Sequence, residues 1–455
     1  MGMRFVTILR APWAWSTIFV TLCSCWCIAQ EPISNENSPS DSGITIEVGT
    51  TSLPSRMVGW FEKEILAFME NHPNIRVKTI ALSDPQRPEA SIGDLPRLAE
   101  NVIGIVGPYT SEASYLASRE YIVPINNFLP DSDLSLDVFY DSAWPAVTYD
   151  DKIWGIPIVQ TSMWMVCDWS LFEAAGIESP PRTWEEFVDI ANRLTKDTDG
   201  DGEVDQWGLR LSPEWVSMEE NLRLAIELQK GAMYLEGDTI DATGLAFSES
   251  LAFLRSIVNA RFTKREEESV FVGQIPCGMQ FMHCFWQEEV ELTENAKSIM
   301  RDKRYRFAPI PTFGEPVFPS LQSLYLAVRK STPEKEAASW ELIKWISRRN
   351  APLPEFWFGY PVRNDITQRP DYDEWSKSFC QGIEVPMRAT AGARLVDYLL
   401  QVPDTAEDEL ILERLSAALR GEMGIDDFYR TISQDLEEVR IDRLDYPVKR
   451  QELLR

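Results

Sequence analysis

The hydrophobic positions of this chain change period repeatedly along its length. Ile44, Ile46 and Val48 alternate with Thr45 and Glu47, the two-residue period of a half-buried strand. Gly49-Thr50-Thr51-Ser52 turns out of it, and Met57, Trp60, Phe61, Ile65 and Phe68 then recur at helical spacing. Pro73 stops that helix, and Ile75 and Val77 begin a second strand. Residues 102–106, ahead of Gly107-Pro108, predict a third. Strands alternating with helices predict an α/β lobe on a largely parallel sheet.

The middle of the chain reads as helical. Thr183-Trp184-Glu185-Glu186 is a capping box, because the Thr183 hydroxyl can accept from a first-turn amide while Glu186 reaches back. Phe187, Ile190, Ala191 and Leu194 supply the buried stripe of that helix. Residues 305–309 and 324–328 predict later strands, and Ser331-Thr332-Pro333-Glu334 a second capping box. Helices are expected around 410–419 and 428–439.

Length adds a constraint: 455 residues exceed what one core accommodates, so two lobes are expected. Apolar residues at 44% and charged residues at 25% are ordinary for a globular chain. The net charge of −27 argues against nucleic acid or anionic lipid as partner, since both require basic surface.

The first thirty residues read as an export signal. Arg4 and Arg10 precede a charge-free run over 11–30 that holds Ile18, Phe19, Val20 and Leu22. Leu22-Cys23-Ser24-Cys25 resembles a lipobox with Cys25 as the lipidated residue, whereas Cys27-Ile28-Ala29 resembles an ordinary cleavage site. Both readings stay open, as does a retained anchor. Residues 30–43 form a Ser, Asn, Pro and Gly tether. Of the cysteines beyond it, Cys167, Cys277, Cys284 and Cys380, the second and third are near enough in sequence to pair; buried thiols are the alternative.

From residue 149 onward the chain resembles a known family. Tyr149-Asp150-Asp151-Lys152-Ile153-Trp154-Gly155-Ile156-Pro157 is similar to the Y-D-G-K-I-Y-G-I-P stretch of the family 1 bacterial extracellular solute-binding proteins. Ala175-Gly176-Ile177, Pro180-Pro181, the capping box, and Asp199-Gly200-Asp201-Gly202 follow in that family's order. Gly278-Met279 leading to Trp286, and Gly359-Tyr360-Pro361-Val362-Arg363, continue the likeness, which runs over about 44–439. Three places depart from it. Glu100-Asn101 replaces Pro-Asp, Arg119-Glu120 stands where a glycine is usual, and Ser320-Leu321-Gln322-Ser323 replaces a Gly-rich turn.

The resemblance implies a two-lobed periplasmic-binding-protein-like fold of type II, with the ligand in the cleft between lobes. One lobe would hold 44–158 and 311–350, the other 162–308 and 351–445. The implied role is the extracytoplasmic binding component of an ABC importer. It would be exported, monomeric, partnered by membrane permease subunits, and closing on a sugar or oligosaccharide. A ligand-sensing partner of a membrane receptor is the alternative within the same fold.

A sugar has apolar faces and a polar rim, so its site requires aromatic platforms and hydrogen-bonding side chains. Trp286 sits where the resemblance places a cleft aromatic. Gln160, Thr161 and Ser162 follow at the first crossing between lobes. Thr50 and Thr51 end the first strand, at the carboxyl edge where open α/β sheets bind ligands. Trp164 and Tyr360 complete the candidates. Trp184 and Trp340 occupy helical positions expected to pack.

Asp197, Asp199, Asp201 and Asp205 around Gly202 match positions 1, 3, 5 and 9 of a calcium loop. Position 12 is Gly208, so the bidentate glutamate is missing, and a solvated turn is the competing reading. No cofactor is otherwise expected. His72 and His283 are the only histidines and lie outside any metal-ligand spacing. No nucleophile elbow, Walker loop or Rossmann fingerprint occurs, so the chain is read as a non-enzyme. A glycosidase carboxylate pair is the remaining enzymatic alternative.

Overall fold

The computed structural model describes residues 43–438 apart from 51–54, 82–103, 108–115, 118–119, 212–217, 237–238, 266–275, 284–303, 315–317, 350–359, 371–392 and 396–406. The export signal and most of the tether lie outside the described residues, as do Thr51, Glu100-Asn101, Cys284, Trp286, Gly359 and Cys380.

Strand β1 (Ile44–Thr50) forms where the alternation predicts it. Helix α1 (Ser55–Asn71) turns Trp60, Phe61, Ile65 and Phe68 inward and returns the chain to β2 (Ile75–Ala81), parallel to β1. Strand β3 (Gly104–Gly107) joins the other side of β1, also parallel. A hairpin follows, β4 (Thr148–Tyr149) and β5 (Lys152–Ile153). Its two turn residues, Asp150 and Asp151, have φ of 51° and 54°. Such a turn requires a left-handed backbone at both positions, which explains the glycine in the family pattern and makes Asp151 a costlier occupant. Glu120 is likewise left-handed, with φ of 55°. Its carboxylate accepts from Lys330 at 2.5 Å, and that hydrogen bond holds it below the usual carboxylate range.

The 13-residue strand β6 (Ile156–Asp168) leads out of this region. Helices α2 (Trp169–Ala174) and α3 (Trp184–Leu194) follow it, then β7 (Trp207–Leu211), α4 (Met218–Gln229) and the small hairpin β8 (Leu235–Glu236) and β9 (Thr239–Ile240). Helix α5 (Leu245–Val258), β10 (Thr263–Arg265), β11 (Cys277–His283) and β12 (Tyr305–Pro309) complete this half. The capping box of α3 forms as read: the Thr183 hydroxyl accepts from the Glu186 amide at 3.1 Å, and Glu186 accepts in return.

The chain then crosses back through β13 (Phe318–Val328) into α6 (Pro333–Arg349). The second capping box does not form as expected: the N-cap is Thr332, whose N3 residue is Lys335. Thr332 accepts from the Lys335 amide, and Glu336 rather than Glu334 reaches back to the Ser331 amide at 2.8 Å. The segment that replaces the family's Gly-rich turn is strand, because residues 320–323 belong to β13. Last come β14 (Tyr360–Pro361), α7 (Asn364–Thr367), β15 (Ala393–Leu395), α8 (Glu407–Arg420) and α9, residues 425–438.

The strands hydrogen-bond in the order β10-β7-β11-β6-β13-β3-β1-β2, with β12 and β14 on β6 and β15 on β13. The buried apolar residues form three clusters among the described residues, a small one around Val147, Trp154 and Tyr325 and two large ones that divide this path into two lobes. The first of these two cores gathers Ile46, Phe61, Phe68, Ile156, Ile158, Val328, Trp340 and Val362. The second gathers Met163, Met165, Trp184, Phe187, Leu209, Phe281, Ile310 and Phe428. Trp184 and Trp340 pack as expected, 2% and 4% exposed. A charged cluster fastens the second core. Arg223 on α4 donates to Glu220 at 2.7 Å and to Glu227 at 2.6 Å, while Tyr234 and Tyr429 donate to Glu227. Burial pushes the Glu227 carboxyl above its ordinary range, against the pull of Arg223 and the two hydroxyls.

Candidate ligand cleft at the crossing strand

Strand β6 belongs to both lobes, and the register shows where it changes hands. Ile156, Pro157, Val159 and Gln160 pair with Leu326, Tyr325, Leu324 and Ser323 of β13. On its other edge, Val159 and Gln160 pair with Pro361 and Tyr360 of β14. From Met163 onward the partners are β11, beginning with Met163 opposite His283, and β12, beginning with Trp164 opposite Pro309.

The carboxyl ends of the parallel strands meet this transition from both sides. In the first lobe β1 ends at Thr50, opposite Ala81 and Val106, and β3 ends at Gly107 opposite Tyr325. Beyond that contact β13 leads down to Ser323 and Gln160. In the second lobe β7 and β11 run parallel, and β11 ends at His283 against Met163. There Arg265, at the end of β10, pairs with Glu219 at 2.7 Å, near the start of α4. Ligands of open α/β sheets bind beyond the carboxyl ends of strands, where the orphaned backbone groups and loops lie. The two sets of strand ends flank residues 160–163 of the crossing strand from opposite sides.

Several sequence candidates gather here. Gln160 and Ser162 are buried on β6, Tyr360 is the backbone partner of Gln160, Thr161 lies between, and Thr50 ends β1. Both polar atoms of the Gln160 amide meet Ser142: Oε1 accepts from its hydroxyl at 3.3 Å and Nε2 donates to its carbonyl at 3.1 Å. Trp164 is only 5% exposed and packs edge-on against Phe307, 6.1 Å between ring centres. Sequence reasoning did not name Ser142 or the Glu219–Arg265 pair. The signal for Ser142 was the polar residue at 160 continuing an apolar stripe.

The aspartate loop lies elsewhere, between the carboxyl end of α3 and the start of β7, away from the strand ends. Carboxylate oxygens of Asp197, Asp199 and Asp205 lie within 4.8 Å of one another, while Asp201 accepts from the Glu203 amide. Asp197 takes the amides of Gly200 and Gly202 at 2.6 and 2.8 Å. The Thr198 amide and hydroxyl hold the Asp205 carboxyl below its usual range. Position 12 cannot carry the missing glutamate. A Cβ on Gly208 would lie 2.1 Å from the Ala191 carbonyl oxygen. Cys167 is buried, and burial pushes its thiol well above the ordinary cysteine range.

Among the described residues no helix is long and apolar enough to cross a membrane. Residues 54–217 match the model of the bacterial extracellular solute-binding proteins. No curated protein matches the sequence significantly. Solved structures align over nearly their whole length. The sugar-binding protein MalE of Xanthomonas citri superposes with a TM-score of 0.69 at 15% identity, over 88% of this chain and 98% of that one. UgpB of Mycobacterium tuberculosis, in complex with glycerophosphocholine, gives 0.67 at 15% identity over 89% and 100%. The cyclic α-maltosyl-1,6-maltose binding protein of Arthrobacter globiformis gives 0.64 at 16% identity over 88% and 99%. The matched family and these neighbours are binding proteins, not enzymes. This chain therefore has the two-lobed fold of the periplasmic solute-binding proteins, and over residues 54–217 it carries the sequence pattern of the bacterial extracellular solute-binding family.

Proposed function

We propose that this chain is the extracytoplasmic substrate-binding component of an ABC importer, and that it captures a sugar or short oligosaccharide by closing its lobes. The observation that carries the reading is the convergence of two sets of strand carboxyl ends on one crossing strand, the arrangement at which open α/β sheets take ligands. The neighbours crystallised with, or named for, sugars support the choice of ligand class. The lobes are assigned as 44–158 with 311–350, and 162–308 with 351–445, except that residues 360–365 join the first: Tyr360 and Pro361 pair with β6, Val362 sits in the first core, and Arg363 bonds Ser347 and Asp365. The N-terminal segment serves as the export signal, cleaved after Ala29 to free the chain or before Cys25 to leave it lipid-anchored outside the cytoplasm, where the permease subunits meet it.

Trp286 is assigned as the stacking platform, with Thr161, Ser162, Thr50, Thr51 and Tyr360 as polar neighbours at the cleft. A ligand that binds only the folded chain adds about 2.7 kcal/mol of stability at a hundredfold excess over Kd. A 30–455 chain screened against mono- and oligosaccharides should therefore melt several degrees higher with at least one of them, and should return it chemically unchanged. No shift with any carbohydrate would overturn the ligand class. Hydrolysis proportional to protein concentration would overturn the binding role.

A further inference from the structure

Strand β6 carries a polar side chain at the end of an apolar stripe. A bulge in β6 between Pro157 and Val159, where β13 advances only from Tyr325 to Leu324, interrupts the alternation, so Ile156, Ile158 and Val159 all enter the first core and Gln160 follows them. The two isoleucines are fully buried and Gln160 is 1% exposed. Its amide grips Ser142 with a donor and an acceptor, as described above. Ser142 lies in the tight turn Asp141–Ala143, whose Ala143 is fully buried in the first core. Beside this turn, the Tyr140 amide donates to the Val362 carbonyl at 2.8 Å, and Phe139 bridges to Arg363. Arg363 then donates to the carbonyl and hydroxyl of Ser347 on α6, at 3.0 and 3.2 Å, and forks onto Asp365. Gln160 is thus tied, through one turn, to a chain of contacts that all belong to the first lobe.

Three residues later Met163 is in the second core. Between the two, the ladder is irregular: β13 advances three residues, from Ser320 to Ser323, while β6 advances two, from Ser162 to Gln160. The extra residue is a bulge, which disrupts pairing locally and lets a strand bend. It falls where β6 passes from one lobe to the other.

We propose that Gln160 is a positioning residue for lobe closure: its amide clamps the first-lobe end of the crossing, so that rotation is confined to Thr161–Ser162. The inference rests on the closing-cleft reading above. Without the clamp, bending spreads back along β6 and the open form gains conformations that the closed, ligand-gripped form lacks. Closure then costs more, and apparent affinity falls by the same factor.

The test is amide hydrogen exchange on the unliganded full chain and its Gln160→Leu variant, which keeps the stripe apolar. Losing a paired amide predicts roughly tenfold faster exchange over 139–143 and 158–163, with β11 and β12 unchanged. Ser142→Ala removes only the hydroxyl and should give a smaller increase in the same segments, and it carries the test if the leucine variant does not fold. Wild-type exchange over 158–163, or an increase spread evenly across both lobes, overturns the proposal. Because no ligand is present, that failure is separate from a failure of the sugar reading, which the melting screen registers alone.

Discussion

Replacing Glu227 with alanine should destabilise the second lobe by about 3–5 kcal/mol, the range for breaking a buried ion pair from one side. Glu227 is 1% exposed and accepts from Arg223, Tyr234 and Tyr429. Arg223, also 1% exposed, would retain Glu220 and, on Nη1, the Tyr234 hydroxyl, but lose the carboxylate there. Two buried hydroxyls would lose their acceptor as well, each costing about 1–3 kcal/mol unless water enters. Glu227→Gln retains an acceptor oxygen and should cost less than the alanine change. Urea unfolding followed by tryptophan fluorescence measures both. A loss below about 1 kcal/mol for Glu227→Ala would mean that the cluster does not hold α4, the β8 hairpin and α9 together.

Gly208→Ala is the second substitution with a large expected effect. Residue 208 sits in β7 directly beneath α3, and an added Cβ would meet the Ala191 carbonyl oxygen at 2.1 Å and its carbonyl carbon at 2.6 Å. The obstacle is helix backbone, so no side-chain rotation relieves it. Either α3 lifts off the sheet, opening space around Phe187 and Leu194, or β7 bends. Overpacking of this kind costs about 1–3 kcal/mol, and a backbone-to-backbone clash belongs at the upper end. Gly314→Ala is the control, since nothing lies within 4 Å of its Cβ position. Equal stability of the two variants would contradict the packing of α3 on β7.

The parts of the fold legible in the sequence are those whose cause is local. The α3 cap needs only Thr183 and Glu186, three residues apart, and β1 needs only its alternation of Ile and Val with polar residues. The start of β13 was not legible, because Pro319 and the serines at 320 and 323 carry no strand period. Their strand state comes from pairing with β6 and β15, more than seventy residues away on either side. Glu220, Arg223 and Glu227 were equally opaque. Spaced three and four apart they resemble a solvated salt-bridge face. They are buried because Tyr234 and Tyr429, the second 202 residues from Glu227, close over them. At the cleft, family order located the crossing, but only the register shows that Gln160 and Met163 answer to different lobes.

Small-angle scattering on the chain with and without the carbohydrate that raises its melting temperature tests the central claim most directly. Two lobes with separate cores, joined by thin crossings, move as rigid bodies, and a ligand gripped from both sides shifts the population toward the closed form. The radius of gyration should fall on saturation with that ligand. An unchanged radius with ligand bound, in a free chain whose lobes a cross-cleft disulfide can draw still closer, would contradict closure as the means of capture.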